Sequence, residues 1–193
     1  MLSLARSLGS PTETDDGHLM KMLKPLDSIN AKSNTLSSHH GLRAFPLHTD
    51  TAFWSEPCRY LVLRVVGDVR RVTTVLRFED FFKCSRRGVD SLADRSVWLV
   101  SIGRKKFYCS MHFSGQCGKG WRYDPVCMTP VNQSANQISR EMHCLAHSGL
   151  GFHINWKRGI AVVIDNWMAL HGRGASPESE GARVLERIYV RDQ

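Results

Sequence analysis

Ile160-Ala-Val-Val-Ile-Asp-Asn-Trp-Met-Ala-Leu170 runs directly into His171, and the reading of this stretch decides the fold. Its apolar, β-branched opening predicts a buried strand that ends in a polar turn at Asp165-Asn166. The partner stretch lies far upstream, in Leu42-Arg-Ala-Phe-Pro-Leu-His-Thr-Asp-Thr-Ala-Phe-Trp54, which is apolar and rich in aromatics. There His48 and Asp50 stand two residues apart, and side chains with that spacing on a strand share one face. His48, Asp50 and His171 would together form a two-histidine, one-carboxylate set. Such a set binds non-haem ferrous iron and leaves the opposite coordination positions open. A His-x-Asp triplet alone carries little weight in a chain with 9 histidines. Its setting at strand ends, where a rigid sheet holds the ligands, gives it weight.

Arginines follow. In Ala182-Arg-Val-Leu-Glu-Arg-Ile-Tyr-Val-Arg191, Arg183 and Arg187 are four apart, so on a strand both face one way. An inward pair of guanidinium groups beside a metal is an anion-binding device, because the planar fork matches a carboxylate.

The order His48-Thr49-Asp50, then Ile164-Asp-Asn-Trp-Met-Ala-Leu-His-Gly-Arg173, then an arginine strand resembles the iron(II)- and 2-oxoglutarate-dependent oxygenases. The likeness is to their taurine dioxygenase and clavaminate synthase-like branch. Leu8-Gly9 and Arg122-Tyr-Asp124 fit the same pattern, so the resemblance runs from about Leu8 to Arg191. It implies that His48, Asp50 and His171 are iron ligands and that Arg183 pairs with the far carboxylate of 2-oxoglutarate. Thr74 resembles the threonine that helps hold that carboxylate, with Thr73 the alternative if the register slips by one. Arg187 resembles a second arginine that grips an anionic group of the primary substrate, and the two arginine roles are exchangeable. Arg122 and Phe53 are further candidates for substrate contact. Trp54 and Trp167 are candidate apolar walls, with core packing an equal reading for all three aromatics.

The implied cofactors are Fe(II), 2-oxoglutarate as cosubstrate, and dioxygen. The implied reaction is hydroxylation of a small anionic or amino-acid-like metabolite with release of succinate and carbon dioxide. Asp50 argues against halogenation, because related halogenases lose that carboxylate to admit a halide. Desaturation and ring closure stay open, as do a peptide, protein or nucleic-acid substrate and a non-catalytic cupin-like domain. Two departures from the family pattern stand out. Arg158-Gly159-Ile160 replaces the usual Pro-Gly-Asp, and the long insertions that close the site in larger relatives are missing.

Strands dominate the pattern and the ligands come from non-adjacent ones. Periodicity alone supports an antiparallel all-β or α+β domain. The resemblance names a mainly β double-stranded β-helix, a jelly roll of cupin type, with flanking helices. Residues 1–193 are expected to form one domain, with residues 27–41 as a lid loop rich in Ser, Asn and His. Helices are predicted near residues 1–9, 78–84 and 137–147, and strands at 18–25, 60–66, 97–101 and 106–111. His143 and His147 read as structural, since no glutamate follows His143 as a zinc-protease motif requires.

The net charge is +8, but the basic residues are scattered rather than gathered in a stripe with interleaved aromatics. That argues against nucleic acid and for a cationic pocket. No apolar run would span a bilayer, and the start Met1-Leu-Ser-Leu-Ala-Arg6 lacks the apolar core of a secretion signal. A cytoplasmic enzyme with a small-molecule substrate is expected, its oligomeric state open. The 6 cysteines are expected to be mostly small buried thiols, with a Cys117–Cys127 bridge as an alternative.

Overall fold

The computed structural model describes residues 1–14, 16–33, 35–67, 71–86, 88–146, 148–175 and 184–192. In chain order the first elements are α1 (Leu2–Leu8), β1 (Ser10–Thr12), β2 (Lys21–Leu23), α2 (Leu36–His40) and β3 (Phe45–His48). Next come β4 (Tyr60–Val65), β5 (Thr73–Arg77), α3 (Phe78–Cys84), α4 (Val89–Arg95), β6 (Trp98–Ile102) and β7 (Lys105–Cys109). The rest are β8 (His112–Gly115), β9 (Gly118–Trp121), β10 (Met128–Pro130), α5 (Gln133–Ala146), β11 (Phe152–Ile154), β12 (Ala161–Asp165), β13 (Ala169–Arg173) and β14 (Leu185–Arg191).

Two antiparallel sheets make the jelly roll. One has the order β1-β14-β4-β12, with β2 also paired to β14, and the other has the order β11-β5-β13-β3. Neighbours in both sheets are distant in sequence, so the sheets form by crossover rather than by successive hairpins. The core between them contains Leu61, Leu63 and Val65 of β4, Ile164 of β12, and Leu185 and Tyr189 of β14. Ala169, Ile154 and Trp156 meet them from the side of the second sheet. Alternation puts the intervening residues on the outer faces. Val62, Ile188 and Val190 thereby meet Ala5 of α1. Leu47, Leu76 and Leu170 meet Phe78 and Phe81 of α3 and Ile138 and Met142 of α5. The jelly roll expected from the resemblance is therefore the fold observed.

Local chemistry accounts for several boundaries. Helix α5 begins four residues before the predicted start, because the Asn132 side chain accepts from Ala135 N at 3.0 Å and caps it. Its inward residues Ala135, Ile138 and Met142 keep the helical spacing. The predicted strand at 18–25 shrinks to β2, which survives through its pairing with Leu185–Arg187. The run from Ile160 to Leu170 contributes to two strands: β12 ends at Asp165, and residues 166–168 make the turn into β13. The segment 27–41, expected as a loop, carries α2 with a capping box between Thr35 and Ser38. Its end is tied to β13, where Arg173 Nη2 donates to Gly41 O at 2.6 Å and to Arg43 O at 3.0 Å. His147 lies outside the described residues. No disulfide forms among the described residues, and Cys84, Cys117 and Cys144 are exposed while only Cys58 and Cys127 are buried. The expectation of mostly buried thiols is thus corrected. No helix among the described residues is long and apolar enough to cross a membrane.

The hairpin β8–β9 covers the turn ahead of His171. Trp167 is fully buried against it, and its Nε1 donates to Pro57 O at 2.9 Å. A Cβ at Gly120 would lie 2.6 Å from Phe113 Cζ and 2.9 Å from Trp167 Cγ. Gly120→Ala therefore displaces packed rings, and we expect a loss of about 1–3 kcal/mol in urea denaturation, as for overpacking elsewhere.

Candidate metal centre

His48 closes β3 and His171 lies in β13, directly opposite it in the antiparallel register. Paired residues point to the same side of a sheet, here the interior. The ring centroids are 4.3 Å apart. Asp50 is not on the strand, as the spacing predicts, but in the turn just after it. It still converges: Asp50 Oδ1 is 3.5 Å from His48 Nε2 and 3.8 Å from His171 Nε2. One ligand atom from each of the three residues lies within 4.8 Å of the others.

The turn is held by residues far away in sequence. Asn166, fully buried, accepts from Asp50 N at 2.8 Å and donates from Nδ2 to Asp50 O at 3.0 Å and Cys58 O at 2.9 Å. Thr49 N donates to Tyr123 O at 2.7 Å, and Tyr123 N donates back to Thr49 Oγ1 at 3.0 Å. Thr51 adopts φ 56°, a left-handed conformation that β-branched residues avoid. Its hydroxyl accepts from Cys58 N at 2.8 Å, which holds it there.

The two imidazoles differ. His48 Nδ1 lies 2.8 Å from Pro46 O, an arrangement that keeps Nδ1 protonated and turns Nε2 toward Asp50. His171 Nδ1 is buried with no partner among the described residues. Burial disfavours charge on both rings. At His48 the hydrogen bond and charge of Asp50 outweigh it and raise the pKa. At His171 burial together with the charge of His48 wins, and the pKa falls, which keeps the ring in the neutral form that ligates metals. Burial opposes ionisation of Asp50 as well, yet Arg187 and the two imidazoles hold its carboxyl well below the usual carboxylate range.

Arg187 enters from β14, and its Nη1 donates to Asp50 Oδ2 at 2.8 Å. Asp50 thus presents one oxygen to the histidines and the other to the guanidinium. Tyr189, two residues along the same face, lies under the Arg187 guanidinium at 4.2 Å. Its hydroxyl pKa is raised well above the ordinary value, first by burial. No motif in the sequence marks Tyr189. Its alternation with Arg187 was the available signal.

Other expectations are corrected. Thr74 pairs with Gly172 and lies 3.1 Å from His153 Nδ1, on the outer face of the sheet. Thr73 is the residue that shares the face of His171, since Val75 is opposite that histidine and Thr73 is two residues from Val75. Thr73 is buried, and its Oγ1 accepts from Trp156 Nε1 at 2.9 Å. Arg122 does not face the site. Its Nη1 donates to Ala52 O at 3.1 Å and Trp54 O at 2.8 Å, and its Nη2 to Ser55 O at 2.8 Å. The side chain fastens the segment after the ligand turn and stacks on Phe113 at 4.7 Å. Charged donors to three carbonyls predict that Arg122→Met lowers stability by about 3 kcal/mol, read from the urea midpoint. Arg122→Lys should not rescue it, because one ammonium does not reproduce the fork. Trp167 belongs to the core, and Phe53 is half-buried beside Trp54. Arg183 lies outside the described residues.

No protein-family model matches the chain, and no curated protein matches it. Solved structures do. An asparagine oxygenase in complex with Fe(II), 2S,3S-3-hydroxyasparagine and succinate matches with TM-score 0.81 at 16% identity, over 98% of this chain and 63% of its own. The non-heme iron oxygenase OrfP with Fe and alpha-ketoglutaric acid matches with TM-score 0.72 at 21% identity, over 98% of this chain and 62% of its own. A taurine dioxygenase from Burkholderia xenovorans matches with TM-score 0.71 at 12% identity, over 100% of this chain and 72% of its own. The fold is that of these oxygenases. The chain spans less than two thirds of the length of the first two.

Proposed function

We propose that the protein is an iron(II)- and 2-oxoglutarate-dependent dioxygenase that hydroxylates a small anionic or amino-acid-like metabolite. The observation that carries this reading is the convergence of His48, Asp50 and His171 in the interior of a jelly roll. The donor set fits ferrous iron: two Nε2 atoms face a carboxylate oxygen, and the second carboxylate oxygen is already engaged by Arg187. Iron bound there would supply the activation of dioxygen coupled to conversion of 2-oxoglutarate to succinate and carbon dioxide. The solved relatives include one complexed with hydroxyasparagine and one with (3S)-hydroxy-L-Arg, both with succinate, which favours an amino-acid-like substrate.

The chain's own residues have distinct tasks in this scheme. His48 and His171 aim their Nε2 atoms at Asp50 from two adjacent strands, and His171 is held neutral. Asn166 and Tyr123 fix the turn that aims Asp50. Thr73, rather than Thr74, would donate its hydroxyl proton to the far carboxylate of the cosubstrate, with Arg183 its expected partner. Arg187 keeps Asp50 ionised and retains an unpaired Nε donor for an anionic substrate group. Leu63, Val65, Ile154 and Leu185 exclude water from the interior beside them. The 193 residues would act as one domain.

The test is anaerobic addition of ferrous iron and 2-oxoglutarate to the purified protein. A visible charge-transfer absorption band is the expected result, followed by succinate formation when amino acids are screened with air admitted. Correctly folded protein that gives no band overturns the reading.

A further inference from the structure

A cavity of about 640 Å³ lies beside the metal centre but is not lined by His48, Asp50 or His171. Its walls come from two places. Phe53 and Trp54 follow the ligand turn, while Ile102, Lys105 and Phe107 belong to the β6–β7 hairpin. Ile102 and Lys105 are cross-strand partners, and Phe107 is two residues beyond Lys105, so the three share one face of the hairpin. Arg191, at the end of β14, completes the wall with its guanidinium over the Trp54 ring at 4.9 Å.

The lining includes two cations and no acidic residue. Lys105 and Arg191 form no ion pair among the described residues, so the positive charge at the rim lacks a counterpart. Half-buried aromatic rings beneath supply an apolar floor. The volume falls within the usual range of small-ligand sites. A guanidinium stacked on an indole keeps its edge donors available to an anion.

We propose that this cavity is a second ligand site, for a small amphiphilic anion: an apolar or aromatic body carrying one carboxylate, sulfonate or phosphate. The floor takes the body, and Lys105 and Arg191 take the charge. The site is separate from the metal centre yet shares a wall with it. Trp54 packs on Tyr189 at 5.8 Å between ring centroids, and Tyr189 lies against Arg187, which donates to Asp50. The inference does not depend on the proposed chemistry.

Its test uses the metal-free protein and the probe 1-anilinonaphthalene-8-sulfonate, titrated by fluorescence. The uncharged N-phenyl-1-naphthylamine serves as its counterpart. Parent protein should bind the sulfonate at one site. Lys105→Glu and Arg191→Gln should each weaken that binding by about fivefold, the size of one partly exposed ion pair, and Lys105→Arg should retain it. The uncharged probe should bind parent and variants alike. Both positions are exposed, and a circular dichroism spectrum and urea midpoint equal to the parent's certify the fold. Failure of the parent to bind the sulfonate overturns the proposal. So does equal sulfonate affinity in both charge variants, or an equal loss of the uncharged probe. None of these outcomes touches the oxygenase reading, since neither iron nor 2-oxoglutarate is present.

Discussion

His171→Ala should abolish iron binding and turnover while costing the metal-free protein only about 1–2 kcal/mol of stability. Two opposing effects meet at this side chain. Removing a buried ring loses packing against the jelly-roll interior, an effect on the order of 2–5 kcal/mol for a large-to-small core change. It also removes Nδ1, a buried polar atom without a partner among the described residues, and an unmet group of that kind costs about 1–3 kcal/mol. The relief offsets only part of the loss, so urea denaturation without metal should show a fall of about 1–2 kcal/mol. His48→Ala lacks this relief, because the His48 Nδ1 bond to Pro46 O is lost with the ring. It should therefore be less stable than His171→Ala by about 1 kcal/mol.

The metal arm separates ligand from scaffold. Ferrous iron at a hundred times its dissociation constant stabilises a folded protein by about 2.7 kcal/mol, and anaerobic denaturation reads that shift. The parent should show it and both histidine variants should not. A His171→Ala protein that iron still stabilises, or that still gives the charge-transfer band, removes His171 from the ligand set.

The split between what the sequence disclosed and what it hid follows physical lines. Strand β4 and helices α1 and α3 were legible because each carries its apolar residues within its own length. Strands β1, β10 and β11, of three residues each, exist only through pairing with β14, β6 and β5, and no local pattern announces that. The ligands were legible as residue types, but the geometry of Asp50 was not. It depends on Asn166, 116 residues away, bonding the backbone of the turn on both sides. Thr73 and Thr74 illustrate the limit most sharply. Both fit the motif, and only the register of β5 against β13 decides which one faces His171. Arg122 failed for a related reason: a conspicuous arginine near a motif reads as a ligand contact until its donors are found on three backbone carbonyls.

Arg187→Met should be the most destabilising single change at the site in metal-free protein, and the one most fully repaired by metal. The guanidinium is largely enclosed with Asp50, at 17% and 12% side-chain exposure, and it is the strongest of the charges that hold that carboxylate ionised against its desolvation. Breaking a buried pair by removing one partner costs about 3–5 kcal/mol, because the remaining charge is left uncompensated. For a chain of this size that corresponds to a fall of about 10 °C in melting temperature. Methionine keeps much of the volume, so the loss reports charge more than packing. Arg187→Lys should recover part of the loss through its charge but not the geometry of the Nη1 bond. Iron alters the comparison, since a divalent cation held by His48, Asp50 and His171 supplies the positive charge that Arg187 no longer does. The rise in melting temperature on anaerobic addition of ferrous iron should therefore be larger in Arg187→Met than in the parent. An equal or smaller rise would show that Asp50 does not share its charge between the guanidinium and the metal. The same variant should lose affinity for an anionic substrate while keeping the band formed with 2-oxoglutarate. If instead the band is lost and iron still binds, Arg187 rather than Arg183 holds the cosubstrate, and the two arginine roles are exchanged.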